Sequence, residues 1–250
     1  IIIMYCIFAS VKNRIFRMSI TKIIYSVVLL SFFTSCASEY QIQGSSSVSR
    51  LDGKMLFVKV PQEGEMLSVD SAEVIHGMFQ MQGIIDSAMI ASLYMDDQSI
   101  MPLVVEKGNI EIQIDNARIM VKGTPLNEKL YDFVTQKNAL DDQAYEVERL
   151  ESRMIMDGEP MEVIEKEINS EREKLSAEMN KLVKTFIQDN YENVLGPGVF
   201  LMLGNGFPYP LMTPLIEEIV DDAPDSFKNH HLVKEYVEAA RANMEKMNER

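Results

Sequence analysis

At Gly123 the hydrophobic period of this chain changes, and that change limits the folds open to it. From about Tyr40 to Lys122 apolar and polar residues alternate; from Leu126 onward apolar residues recur at three- and four-residue spacings. A sheet must therefore come first and helices after it. Eight short segments carry the strand pattern, at 40–44, 54–60, 66–75, 78–84, 88–95, 100–105, 109–115 and 118–122. In Asn109-Ile110-Glu111-Ile112-Gln113-Ile114-Asp115 the alternation is strict, which predicts one buried and one wet face. His76-Gly77 and Lys107-Gly108-Asn109 read as hairpin turns, because glycine supplies the positive φ such turns need. The expectation is an α+β protein with an N-terminal antiparallel β-sandwich of about eight strands.

Thr124 is a suitable N-cap with Pro125 at the first helical position. Leu126, Leu130, Phe133, Leu140, Val147, Leu150 and Met154 then share one face, and Asp157-Gly158-Glu159-Pro160 stops that helix and starts another. The second carries Met161, Ile164, Ile168, Leu175, Met179, Leu182 and Phe186. Two such helices, each about 45 Å long at 1.5 Å per residue, predict a long antiparallel hairpin. A pair of helices buries only the faces turned toward each other, so the C-terminal helices expected at about 214–220 and 226–247 should cover the base near Leu126 and Phe186. Apolar surface should remain toward the Gly158 tip. The intervening Gly- and Pro-rich stretch reads as a loop with a buried apolar turn through Val199-Phe200-Leu201-Met202-Leu203.

Charge and cysteines exclude several functions. With 24 Lys and Arg against 38 Asp and Glu and no basic stripe, the chain does not look like a nucleic-acid binder, which needs clustered cations to neutralise phosphates. The N-terminus reads as a targeting segment. Counting from Met18, the expected start, Lys22 supplies positive charge, 23–33 is an apolar run too short to span a bilayer, and Thr34-Ser35 precede Cys36. This arrangement resembles the lipobox of bacterial lipoproteins, with Phe33 where Leu is usual. Residues 1–35 are thus expected to be a signal peptide, and Cys36 the lipidated first residue of the mature chain. A tether follows to about residue 50, then the β-sandwich over 40–123 and the helical part over 124–250. Losing residues 1–35 removes Lys12, Arg14, Arg17 and Lys22 and no acids, leaving 20 cations, 38 anions and a net charge of −18. The only other cysteine, Cys6, lies upstream, so no thiol is left for a disulfide, a nucleophile or a CxxC pair.

Other constellations favour structural readings. Gly196-Pro197-Gly198 and Gly204-Asn205-Gly206 lack the preceding strand and following Lys-Ser/Thr of a phosphate loop. His230-His231 on a helix would point about 100° apart, and closely spaced methionines (Met78/Met81, Met154/Met156, Met244/Met247) mostly suit apolar faces, so no metal site or other cofactor is expected. Asp96-Asp97, Asp141-Asp142 and Asp221-Asp222 have no pocket to make them converge, and no nucleophile elbow accompanies any Ser. Asp70-Ser71-Ala72 and Asp86-Ser87-Ala88 resemble a short bacterial O-glycosylation acceptor, which makes Ser71 and Ser87 candidate sugar sites.

One ordered series of short motifs carries a wider resemblance: Gln41-Ile42-Gln43-Gly44, Val69-Asp70-Ser71-Ala72-Glu73-Val74, Gly77-Met78-Phe79-Gln80-Met81-Gln82-Gly83, Glu106-Lys107-Gly108-Asn109-Ile110 and Val121-Lys122-Gly123-Thr124-Pro125-Leu126-Asn127. It resembles the domain of unknown function that precedes the thioredoxin-like domain in envelope thiol:disulfide interchange lipoproteins of one large Gram-negative group. The likeness covers about 40–137 and, more loosely, the helices through Val237. Those proteins continue into a thioredoxin fold with a CxxC pair, which this sequence does not contain, so redox catalysis is not carried over. The expectation is a non-enzymatic envelope lipoprotein, held at the membrane through lipid on Cys36, with the outer membrane as its address and a protein partner or ligand. The alternative is a stand-alone accessory to a separate thioredoxin-like oxidoreductase.

Overall fold

The computed structural model describes residues 38–62, 64–204 and 206–248. Strands form where the period-two pattern runs: β1 (Ser38–Ser46), β2 (Met55–Gln62), β3 (Glu65–Glu73), β4 (Met78–Ile85), β5 (Met89–Met95), β6 (Gln98–Val105), β7 (Gly108–Ile114) and β8 (Ile119–Lys122). They make two four-stranded sheets, ordered β4-β1-β7-β8 and β3-β2-β5-β6. Ile42, Ile110 and Ile112 from the first sheet and Leu56, Val58, Leu93 and Leu103 from the second are at most 2% exposed and fill the space between them. In β7 the alternation holds residue by residue, with Ile110, Ile112 and Ile114 buried and Glu111 and Gln113 wet.

Two details depart from the expected all-antiparallel sandwich. β1 and β7 pair in parallel, from Tyr40 opposite Gly108 to Ser46 opposite Ile114. Lys107-Gly108-Asn109 is also not a hairpin, since β6 and β7 lie in different sheets. The segment carries the chain across the sandwich and delivers β7 beside β1 in the same direction. Local turn signals cannot report such a crossing, because Gly108 at φ 122° suits either geometry. His76-Gly77 does close a two-residue turn with both φ positive (52° and 74°), clamped by reciprocal Ile75–Met78 backbone hydrogen bonds of 2.8 and 3.0 Å. Beyond that bridge β3 and β4 separate into different sheets.

The helices are α1 (Pro125–Met156), α2 (Met161–Gln188), α3 (Leu195–Gly204), α4 (Pro214–Asp222), α5 (Asp225–Lys228) and α6 (His231–Asn248). Thr124 occupies the N-cap position of α1, but its side chain does not cap the helix. The capping oxygen comes from the end of β6. Glu106 Oε1 accepts from the Leu126 and Asn127 N–H groups, both at 2.9 Å, and from Asn127 Nδ2 at 3.3 Å. Asn127 is fully buried; its Oδ1 accepts from Val104 N–H (2.9 Å), and its Nδ2 also donates to Val104 O (2.7 Å) and Thr124 Oγ1 (2.9 Å). Orphan donors of a helix start and a buried carboxyl thus satisfy one another, and the positive end of the helix dipole faces an acidic group.

α1 and α2 form the expected hairpin. Gly158, at φ 78°, ends α1 and its N–H donates to Ile155 O at 3.2 Å. The base of the hairpin joins the main core: Leu130, Phe133, Val183 and Ile187 cluster with the sandwich and with Ile216, Ile219 and Val233 of the C-terminal helices. Lys184 on α2 ties that contact to Glu218 and Asp222 of α4 at 2.5 and 2.9 Å, and these carboxylates push its ammonium up to about 12. Toward the tip a second small cluster holds Val147, Ile164, Ile168 and Leu175. Val147 and Ile164 face the mate helix and are buried, so they are seam residues and not the free apolar surface that a helical stripe alone suggests. The exposed apolar side chains at the tip are Ile155, Met156, Met161 and Val163.

α3 corrects the loop expected after Asn193. Pro197 sits in its first turn, where a missing N–H costs little. Its glycines serve close approach: a Cβ on Gly196 would lie 2.4 Å from Asn190 O, one on Gly198 2.6 Å from Ile90, and one on Gly204 2.1 Å from the Tyr236 ring.

Removing the Glu106 carboxyl leaves buried donors unpaired, at about 1–3 kcal/mol each. Glu106→Ala should therefore lower unfolding free energy by about 3 kcal/mol in denaturant titration. Ile164→Ala should cost about 2–4 kcal/mol by cavity formation, and Met156→Ala less than about 0.5 kcal/mol. Equal losses for the last two would contradict the seam-and-tip assignment.

Candidate functional site

The outer face of the β3-β2-β5-β6 sheet is where the helices dock. On it stand the residues alternating with the inward ones: Phe57, Lys59 and Pro61 of β2, Ile90, Ser92 and Tyr94 of β5, Pro102 and Val104 of β6. Its Ile90 and Val104 end is covered, with Gly198 of α3 against Ile90, and Tyr131 of α1 donating its hydroxyl to Pro102 O at 3.1 Å. Toward β3 the face is more open, and Pro61, Met66 and Tyr94 form the floor of a cleft of about 630 Å³, walled by α6 and the 207–210 loop.

Leu232, Glu235, Tyr236 and Ala239 line the cleft at the i, i+3, i+4, i+7 spacing of one helix stripe. Tyr236 is locked: its hydroxyl donates to Leu211 O (3.0 Å) and accepts from Leu211 N–H (3.2 Å), and its ring packs edge-on to Phe200 at 5.5 Å. Asn243 Nδ2 donates to Pro210 O at 3.0 Å. These bonds hold the loop against α6, so Phe207 and Tyr209, 40% and 45% exposed, are presented on a fixed support. A second cavity of about 530 Å³ adjoins the first and shares Pro61, Gln62, Leu232 and Glu235 with it. Ser87, His230 and His231 line its far end.

The histidines do not point apart as two helical neighbours would. α6 begins at His231, His230 precedes it, and the rings stack with centroids 4.6 Å apart. His230 Nδ1 is buried without a hydrogen-bond partner, and burial first, then His231, hold its imidazole below the ordinary value. Among the described residues no group of three His, Cys, Asp or Glu is arranged to hold a metal.

The acidic pairs lie far apart in the fold. Asp96-Asp97 form the two-residue β5–β6 turn, Asp141 pairs with Lys137 at 2.6 Å, and Asp222 pairs with Lys184. Of the paired methionines, Met81 and Met154 pack in the cores, whereas Met78, Met156, Met244 and Met247 are exposed, so most are not on buried faces. Ser71 and Ser87 are both exposed. Asp70 has a structural partner of its own: Tyr40 donates its hydroxyl to Asp70 Oδ2 at 2.7 Å across the sandwich, and Asp70 Oδ1 accepts from Ser71 N–H at 2.8 Å. Cys36 and the signal segment lie outside the described residues. The cleft residues Phe207, Tyr209, Glu235 and Tyr236 were not singled out by sequence; the string Phe207-Pro208-Tyr209-Pro210, aromatic in a Pro-rich stretch, is the signal that points to them.

Residues 40–130 match the family model of a domain of unknown function, DUF4369. No curated protein and no solved structure matches the chain. The DUF4369 segment takes in nearly all of the sandwich and the first turn of α1, with Glu106, Thr124 and Asn127 inside it. The cleft floor belongs to that segment and the cleft wall lies beyond it.

Burial first, then the bond to Asp70, raise the Tyr40 hydroxyl well above the ordinary phenol value, and burial does the same for Tyr131. A raised folded value stabilises below the unfolded pKa of about 10, and that contribution is lost as pH rises above it. Thermal stability should therefore fall above about pH 10. Tyr40→Phe should reduce that slope and cost about 1 kcal/mol at neutral pH; an unchanged alkaline slope would rule the coupling out.

Proposed function

We propose that this chain is a non-enzymatic binding lipoprotein of the bacterial cell envelope, anchored by lipid on Cys36 and binding a protein partner or ligand in the cleft beside α6. The observation that carries the reading is the cleft itself: exposed aromatic rings held by hydrogen bonds on a rigid support, a common property of recognition surfaces. An acidic surface repels anionic head groups, so the lipid rather than the protein face is the membrane attachment. The expected address is the outer membrane. Among the described residues no helix is long and apolar enough to cross a membrane.

A second reading rests on the resemblance of about 40–137 to the domain that precedes a thioredoxin-like domain in envelope lipoproteins. If the module serves a separate thioredoxin-like oxidoreductase, as the resemblance implies, crosslinking in cells should recover that protein with Tyr209 or Glu235 at the contact. Recovery of transport proteins at the same contact favours ligand capture.

The anchor is tested by Cys36→Ser, which should abolish labelling by a fatty-acid probe and release the protein from membrane fractions. Retention of both properties would remove the lipoprotein assignment. Intact mass of the native protein tests the Ser71 and Ser87 motifs: hexose increments lost in Ser87→Ala would mean a sugar closes the cavity end next to His230 and His231. A mass without increments leaves Asp70-Ser71-Ala72 with its structural role alone.

A further inference from the structure

The cleft has a charge preference as well as a shape. Among its described lining residues the carboxylates are Glu65 and Glu235, and neither Lys nor Arg is present. Four aromatic rings line the same space; that of Tyr94 already carries the Lys59 ammonium, which leaves those of Phe207, Tyr209 and Tyr236 for a ligand. Aromatic faces and carboxylates together attract ammonium and guanidinium groups. The protein already shows this on the same sheet face, where the Lys59 ammonium stands 4.6 Å from the Tyr94 ring centroid and 5.9 Å from that of Phe57. Size argues for more than a single cation, because the adjoining cavities of about 630 and 530 Å³ form one trough with Glu235 bordering both.

Building on the binding-module reading, we propose that the trough binds an extended peptide segment bearing Lys or Arg, its cation against Glu235 and the cleft aromatics and its backbone running between the two cavities. The net charge of −18 left after loss of residues 1–35 draws such a segment in; the fixed rings give the site its specificity.

The test uses the full-length, detergent-solubilised lipoprotein and three acetylated, amidated pentapeptides: Lys-Ala-Lys-Ala-Lys, Gln-Ala-Gln-Ala-Gln and Glu-Ala-Glu-Ala-Glu. Calorimetry at physiological salt should show saturable one-to-one binding of the lysine peptide only. Glu235→Gln and Tyr209→Ala, each checked for unchanged melting, should weaken it about tenfold, the size expected of a desolvated cation–π or charge contact. Glu148→Gln, on the distant hairpin, should leave it unchanged. Equal binding to all variants would mean diffuse attraction to an acidic surface and overturn the proposal. If the glutamine peptide binds as well as the lysine peptide and both are lost in Tyr209→Ala, the cation preference is wrong while the cleft remains a binding site. No saturable binding of any peptide overturns the peptide proposal, and the crosslinking experiment then decides the binding-module reading separately.

Discussion

A buried carboxyl, Glu106, holds the two halves of this protein together. It sits between β6 and β7 and accepts the first free N–H groups of α1, while Asn127, on the first turn of that helix, bonds back to the edge of β6 at Val104. Hydrophobic contact is non-directional and would allow α1 to rotate or slide over the sheet. Four polar groups that satisfy one another only in one arrangement do not allow it. The direction of α1 sets the direction of α2 through the tight Gly158 turn, and the base of that hairpin supplies the surface on which α4 and α6 pack.

Close approach does the rest of the positioning. α3 lies against β5 and α6 because Gly198 and Gly204 present no side chain where Ile90 and Tyr236 need room. That proximity brings α6 beside the sheet, and the cleft is the space left between the sheet face and the α6 stripe of Leu232, Glu235, Tyr236 and Ala239. Its rings are firm because Tyr236 and Asn243 bind the loop backbone at Leu211 and Pro210. One hydrophobic core runs through the sandwich, the hairpin base and the C-terminal helices, so disturbance of the core reaches the cleft wall.

Much of the scaffold was legible in the chain. Strict alternation in β7 placed Ile110, Ile112 and Ile114 inside because side chains on a strand have only two directions. Pro125, Gly158 and Pro160 marked helix ends because each restricts backbone geometry locally. The glycines of α3 misled for the same reason: glycine near proline usually signals a turn, and its use for helix packing depends on neighbours, Ile90 and Tyr236, that are remote in sequence. Val147 and Ile164 were correctly apolar, but whether an apolar stripe faces a mate helix or water depends on the angle at which the helices meet.

By itself the sequence determined the order of sheet and helices, the turn at His76-Gly77, the helical hairpin, the acidic balance and the acceptor-like motifs, all of which follow from local periodicity, backbone restriction or composition. Only the tertiary structure decided the parallel pairing of β1 with β7, the capping of α1 by Glu106, and the meeting of Tyr94, Tyr209 and Glu235 around one cleft. Those features join residues tens to more than a hundred positions apart, and their geometry is set by burial and hydrogen-bond satisfaction across the whole core, which no local pattern encodes.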